Sequence, residues 1–189
     1  MKGIIFTTDL IPKVLDGSKT MTRRIEAGLK EINTTPDNWE YHCFEEGYAH
    51  FFDKNEYNGL LDMWGKPRYK LNEVVYIKEA YQYRQAGIGI VYRSVDDSRS
   101  KIVDNKWRSP YYMREAESQG YIKITDIRAE RLQSITEEDC IKEGITFDLP
   151  HYGVCALKDI FEQTWNRLHG SKAYNLNPWL FVYTFERTE

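Results

Sequence analysis

The chain has 189 residues, with 26 Lys and Arg against 29 Asp and Glu and a formal charge of −3. That length suits one domain with a substantial core, and 41% apolar with 29% charged residues excludes disorder across the whole chain. The near balance of charge excludes nucleic-acid binding through bulk charge, leaving only a local basic patch, and no run approaches about 18 consecutive apolar residues, which excludes a membrane-spanning helix. The first residues, Met1 to Asp9, lack the apolar run of a secretion signal, and three widely spaced cysteines make no disulfide framework. A reduced, cytoplasmic protein is expected. Aromatic residues reach 14%, which fits either a β-rich core or a set of stacking platforms for flat ligands.

Gly3 to Thr7 is a short β-branched run that predicts a strand. Asp9 is placed to cap a short helix carrying Pro12 in its first turn, with Ile11, Val14 and Leu15 as its stripe and Gly17 as its stop. Ser18 to Arg24 reads as a polar loop running into an extended segment. Residues 26–70 show no steady period, although five aromatics between Tyr41 and Phe52 speak against disorder, so an insertion is expected there. Glu73 to Glu79 and Ile88 to Arg93 predict strands, with turn-like charged sequence over 95–106. Tyr121 to Arg128 alternates, with Ile122 and Ile124 inward, and can continue past a bend to Ser134.

Thr136-Glu137-Glu138-Asp139 opens a helix with a capping-box pattern and acidic residues suited to the helix dipole, with Cys140 and Ile141 as apolar positions and Gly144 as the stop. The strongest helical period runs from about Val154 to His169, where Leu157, Ile160, Phe161, Thr164, Trp165 and Leu168 recur at three and four. Trp179 to Glu186 predicts a closing strand. There is no repeat and no regular alternation of strand and helix. A mainly β, α+β fold follows, a small β-barrel with short flanking helices and an inserted loop region, as a single domain over 1–189 with insertions at about 26–70 and 81–118.

Several motifs fail. Gly17-Ser18-Lys19-Thr20 is not a phosphate loop, because Ser18 stands where glycine must precede the lysine. The four His (42, 50, 151, 169) and three Cys (43, 140, 155) show no metal-ligand spacing, so no metal is expected, and no cofactor motif is present. One constellation carries chemistry. Lys19, Thr20, Thr22, Arg23 and Arg24 put an amine, two hydroxyls and the chain's Arg pair just after a helix end. Those residue types make an anion-binding loop or a lysine-activated hydroxyl, and a solvated basic turn has the same composition.

Five segments in order resemble the ASCH family, in particular its longer phage- and bacteria-type members. They are Val14 to Arg24, Val74 to Glu79, Ile124 to Gln133, Ile135 to Ile145, and Phe161 to Asn166 with Asn177-Pro178-Trp179 and the last strand. They cover the chain apart from about 26–70 and 81–118. The resemblance implies a PUA-like barrel and a partner that is a modified nucleoside or RNA. Some small family members are amidohydrolases that remove the acetyl group of N4-acetylcytidine, and another has been described as a ribonuclease. By position their proposed catalytic Lys, Thr and Glu fall on Lys19, Thr22 and Glu143.

Two functions therefore compete. One is amide hydrolysis of an N4-acylated cytidine, with Thr22 as nucleophile, Lys19 as its base, and Glu143 handling the leaving amine's proton or orienting substrate. A lysine activates a hydroxyl only as the neutral amine, a form that burial and neighbouring guanidiniums favour. The other is a non-catalytic RNA-binding module in which Lys19, Arg23 and Arg24 hold phosphate. Both readings place Thr20, Arg23, Arg24 and Glu79 with Lys19, Thr22 and Glu143 in one polar cleft. The sequence names no protein partner.

Overall fold

Val74, Val75, Tyr76 and Ile77 form the strand that their β-branched and aromatic side chains predict, and three of the four are buried. The structure, a computed structural model, describes residues 1–55, 61–84, 89–96, 106–146 and 156–188. Within these residues the chain runs β1 (Gly3–Ile5), α1 (Ile11–Leu15), β2 (Met21–Arg24), β3 (Trp39–Glu45), β4 (Tyr48–Asp53) and β5 (Asp62–Gly65). It continues through β6 (Val74–Lys78), β7 (Tyr81–Tyr83), β8 (Ile90–Tyr92), β9 (Tyr121–Arg131), α2 (Glu137–Lys142), α3 (Leu157–His169) and β10 (Trp179–Thr188). The fold is α+β and mainly β, and none of the described sheets closes on itself.

The chain forms two compact units, one of residues 1–20, 73–123 and 185–189, the other of 21–72 and 124–184. In the first, β1 pairs in parallel with β6, Ile4 opposite Ile77, and β6 pairs antiparallel with the start of β9, Val75 opposite Ile122. All four side chains are buried. β7 and β8 form an antiparallel pair, with Gln82 opposite Val91. In the second unit β2 pairs antiparallel with β10, Thr22 opposite Tyr183. Leu180 to Tyr183 are all buried, a continuous run expected of a strand covered on both faces. Leu132, Ile135, Cys140, Leu157, Phe161, Trp165 and Leu180 form one apolar cluster between α2, α3 and β10, with Ile160 packed at its margin.

Several expectations need correction. The 26–70 segment is not structureless: three short 3-10 turns lead into an antiparallel sheet of order β3-β4-β5. A register shift between Tyr41 and Cys43 breaks the period-two pattern that would have announced β3. Its hairpin turns at Glu46 and Gly47, both at positive φ (51° and 85°), and glutamate is a poor signal for such a turn. Asp9 does not cap α1; Leu10 holds the N-cap position with no side-chain hydrogen bond. Ile141 (56% exposed) and Leu168 (50% exposed) lie off their helices' buried faces. The strand expected from Ile88 is the shorter β8, and Ile88, His151, Val154 and Cys155 lie outside the described residues.

Candidate functional site

In the first unit the Lys19 side chain is enclosed, with the residue 1% exposed and its Nζ 5.9 Å from the centroid of the Phe6 ring. The backbone N–H of Lys19 donates to the Lys13 carbonyl at 2.7 Å, closing the loop after α1, where Gly17 takes the positive φ of 80° that the turn requires. Thr20 is half-buried and its carbonyl accepts from the Phe185 N–H at 2.8 Å. Glu79, expected at the end of a strand, is also 1% exposed. Its carboxylate accepts from the Ser94 N–H at 3.2 Å and from the Gln119 side-chain amide, which in turn reaches Ser94 Oγ at 3.3 Å. Glu79 is therefore no surface carboxylate; neutral donors hold it inside its unit.

The second unit builds an ionic cage on β2. Side chains alternate across a strand, so Met21 and Arg23 share one face and Thr22 and Arg24 the other. The Arg23 side chain is fully buried, and its Nη2 donates to Asp139 Oδ2 at 2.7 Å and Glu130 Oε2 at 2.9 Å. Its Nη1 donates to Glu143 Oε1 and to Met21 Sδ, both at 3.3 Å. Each carboxylate is placed by local structure. Asp126, Arg128 and Glu130 alternate along β9, and Arg128 pairs with both acids. Asp139 and Glu143 stand four apart, at the N3 and C-cap positions of α2, and so share one helix face. Asp139 also completes the capping box: Thr136 Oγ1 accepts from its N–H at 3.1 Å.

Charge in this cage is decided by Arg23. Burial by itself would raise the Asp139 carboxyl, but the hydrogen bond and charge of Arg23 outweigh it and hold the group below the usual aspartate range. Burial pushes the neighbouring Cys140 thiol up to about 11, which leaves it protonated and a poor nucleophile near neutral pH. Two guanidiniums thus face four carboxylates, Asp126, Glu130, Asp139 and Glu143. A phosphate reaching Arg23 would have to displace carboxylates from a buried group.

The other face of β2 is aromatic and polar. Thr22 is 6% exposed, opposite the fully buried Tyr183. Tyr183 Oη donates to Glu26 Oε2 at 2.8 Å, the Arg68 N–H reaches the same oxygen at 2.8 Å, and the Tyr69 ring lies edge-on to Tyr183 at 5.3 Å. Burial raises the Glu26 carboxyl above its usual range, against the hydrogen bonds of Arg68 and Tyr183 and the charge of Arg24. Burial also lowers Arg24, against the fields of Tyr69, Glu26 and Glu143. The hydrogen bond to Arg23 places the Glu143 carboxylate on the Arg23 face of β2, an outer strand of its sheet, and the Thr22 side chain leaves by the other face.

The structure thus joins Thr22, Arg23, Arg24 and Glu143 in one unit, with Thr22 directly before the two arginines in sequence. Lys19, Thr20 and Glu79 belong to the other unit. Sequence reasoning missed Glu26, Tyr69, Arg128, Glu130, Asp139 and Tyr183. Asp139 was signalled by its capping box, and Glu130 by the alternating charges of β9. Nothing local marks Glu26, whose partners lie 42 and 157 residues away. Among the described residues no three His, Cys, Asp or Glu side chains group to hold a metal ion, and no helix is long and apolar enough to cross a membrane. No family model, curated protein or solved structure matches the chain.

Proposed function

We propose that the chain is an ASCH-type, PUA-like protein that hydrolyses the amide of an N4-acylated cytidine. The carrying observation is that a buried threonine on β2 and a buried carboxylate at the end of α2, tied to the same strand through Arg23, lie in one unit. Lys19 and Thr22 are both buried, and burial favours the neutral amine that a lysine base requires. Three residues of chain keep the Lys19 and Thr22 Cα atoms within about 10 Å.

In this reading the Lys19 amine takes the Thr22 hydroxyl proton as Oγ attacks the acyl carbonyl carbon. The tetrahedral adduct collapses with cleavage of the carbon–N4 bond, and the amine leaves with a proton relayed by Lys19 or Glu143. Water then attacks the Thr22 ester, releasing the carboxylic acid and restoring the hydroxyl. Arg23 serves as a positioning residue that fixes the Glu143 carboxylate.

A binding module that holds phosphate through Arg23 has less support, since that guanidinium is enclosed and already meets three carboxylates. The test is acid quenching during turnover of N4-acetylcytidine, followed by mass spectrometry. An acetyl group is expected on the peptide carrying Thr22. Turnover that leaves that peptide unmodified, with the label on another residue, removes Thr22 from the nucleophile role.

A further inference from the structure

The turn Pro110–Tyr112 in the first unit exposes two aromatic rings. Tyr111 and Tyr112 are each 72% exposed, with ring centroids 5.3 Å apart and planes at 87°. Aromatic side chains are usually buried, and a loose turn would let such rings fold back onto apolar surface. This turn is not loose. Three successive carbonyls are held from below: Tyr111 O accepts from Lys78 Nζ at 2.7 Å, Tyr112 O from Tyr81 Oη at 3.3 Å, and Met113 O from Tyr76 Oη at 3.2 Å. Ser109 caps its start, accepting from the Tyr111 N–H, and the buried Met113 closes it.

One cation lies by the Tyr111 ring and others flank the turn along the chain. Lys78 Nζ lies 5.8 Å from the Tyr111 ring centroid. Arg108 is exposed and lies 5.0 Å over the Tyr83 ring, with its Nε on Gln82, and Lys106 is exposed two residues before it. The Arg114 side chain is 79% exposed. Neighbouring carboxylates are matched already: Glu117 by Arg114 and Tyr83, Glu115 by the N-terminal ammonium, and Glu73 by Lys2. With Arg114, the N-terminal ammonium and Lys2 matched to those carboxylates, Lys106 and Arg108 add positive charge to this surface among the described residues, on a chain whose net charge is −3.

From this geometry we infer that the Tyr111–Tyr112 turn is a docking surface for single-stranded nucleic acid, with bases stacked on the two rings and phosphates drawn to Arg108 and Lys106. A turn whose backbone is held in place loses little freedom when a base stacks on its rings, and flanking cations take the phosphates that follow each base. The ligand class is shared with the proposed function, but none of these residues is placed in its chemistry. A substrate nucleoside carried in an RNA strand would thereby be gripped through its neighbours.

The test is fluorescence anisotropy of a labelled 12-nucleotide single-stranded RNA of mixed sequence. Tyr111→Ala with Tyr112→Ala is expected to weaken binding at least about tenfold, each stacked base being worth roughly 1–3 kcal/mol. Phe at both positions keeps binding, because stacking needs the ring and not the hydroxyl. Arg108→Ala flattens the dependence of log affinity on log salt by about 0.7, the slope of one single-strand phosphate. A fully paired duplex of the same sequence competes weakly, since its bases are not free to stack. No binding by the wild type, equal affinity of the double Ala variant, or equal competition by the duplex each overturns the inference. Nucleoside turnover by the wild type, measured alongside, separates the two readings: RNA binding without turnover leaves the surface standing and removes the hydrolase.

Discussion

The Arg23 cage and the Tyr111–Tyr112 turn treat their side chains in opposite ways. Around Arg23, one fully buried guanidinium meets three carboxylates and a thioether, and its strongest contacts are spent inside the protein. At the turn, backbone carbonyls are satisfied from below while two rings are left to solvent. Charge in the first region positions; rings in the second are presented. The basic character of the sequence Arg23-Arg24 is therefore a poor guide to where an anion would bind, and exposure is the better one.

The comparison breaks most visibly at Arg23. Replacing it with Ala leaves Asp139, Glu130 and Glu143 clustered without their common cation. A stability loss of roughly 3–5 kcal/mol is expected, the cost of removing one partner of a buried charge cluster. Urea unfolding measures it, and a loss below about 1 kcal/mol would mean that the cage is ordinary surface.

Asp139 sharpens the same point through pH. Its carboxyl is held below its ordinary value in the folded chain, so the stability it adds is present above about pH 4 and is lost as pH falls through the folded value. Asp139→Asn is expected to cost about 1–3 kcal/mol at neutral pH. The variant then loses less further stability than the wild type on acidification. Parallel acid limbs for the two proteins, in thermal melts below about pH 4, would contradict the Arg23 pairing.

The smallest effect is expected at the turn. Tyr111→Ala with Tyr112→Ala should shift stability by no more than about 0.5 kcal/mol, as exposed rings contribute little to folding. A larger loss in calorimetry would mean that the rings hold the fold together rather than face a ligand.

What was legible in the sequence follows from how local its causes are. α3 was readable because Leu157, Phe161 and Trp165 repeat at four along one buried face. α2 was readable from the Thr136–Asp139 capping box, which needs only four consecutive residues. β3, β4 and β5 were not, because a register shift at Tyr41/Cys43 and a hairpin turn on Glu46 erase the usual signals. Of the site, Arg23 was named from its basic loop and Glu143 from a family resemblance, and their ion pair spans 120 residues that no spacing rule bridges. Glu130 and Asp139, which complete the cage, read as surface charge until the fold brings them to Arg23. Tyr111 and Tyr112 were invisible as a platform, since their exposure depends on hydrogen bonds from Lys78, Tyr81 and Tyr76, some 30 or more residues earlier.

The most direct test of the proposed chemistry is the initial rate of acetate release from N4-acetylcytidine by the wild type, Thr22→Ala and Lys19→Ala, with each variant's fold checked by its melting curve. The account predicts measurable turnover by the wild type and a fall of at least about a hundredfold in each variant, the scale of losing a nucleophile or its base. Equal rates in all three proteins, or no release by the wild type, would contradict it.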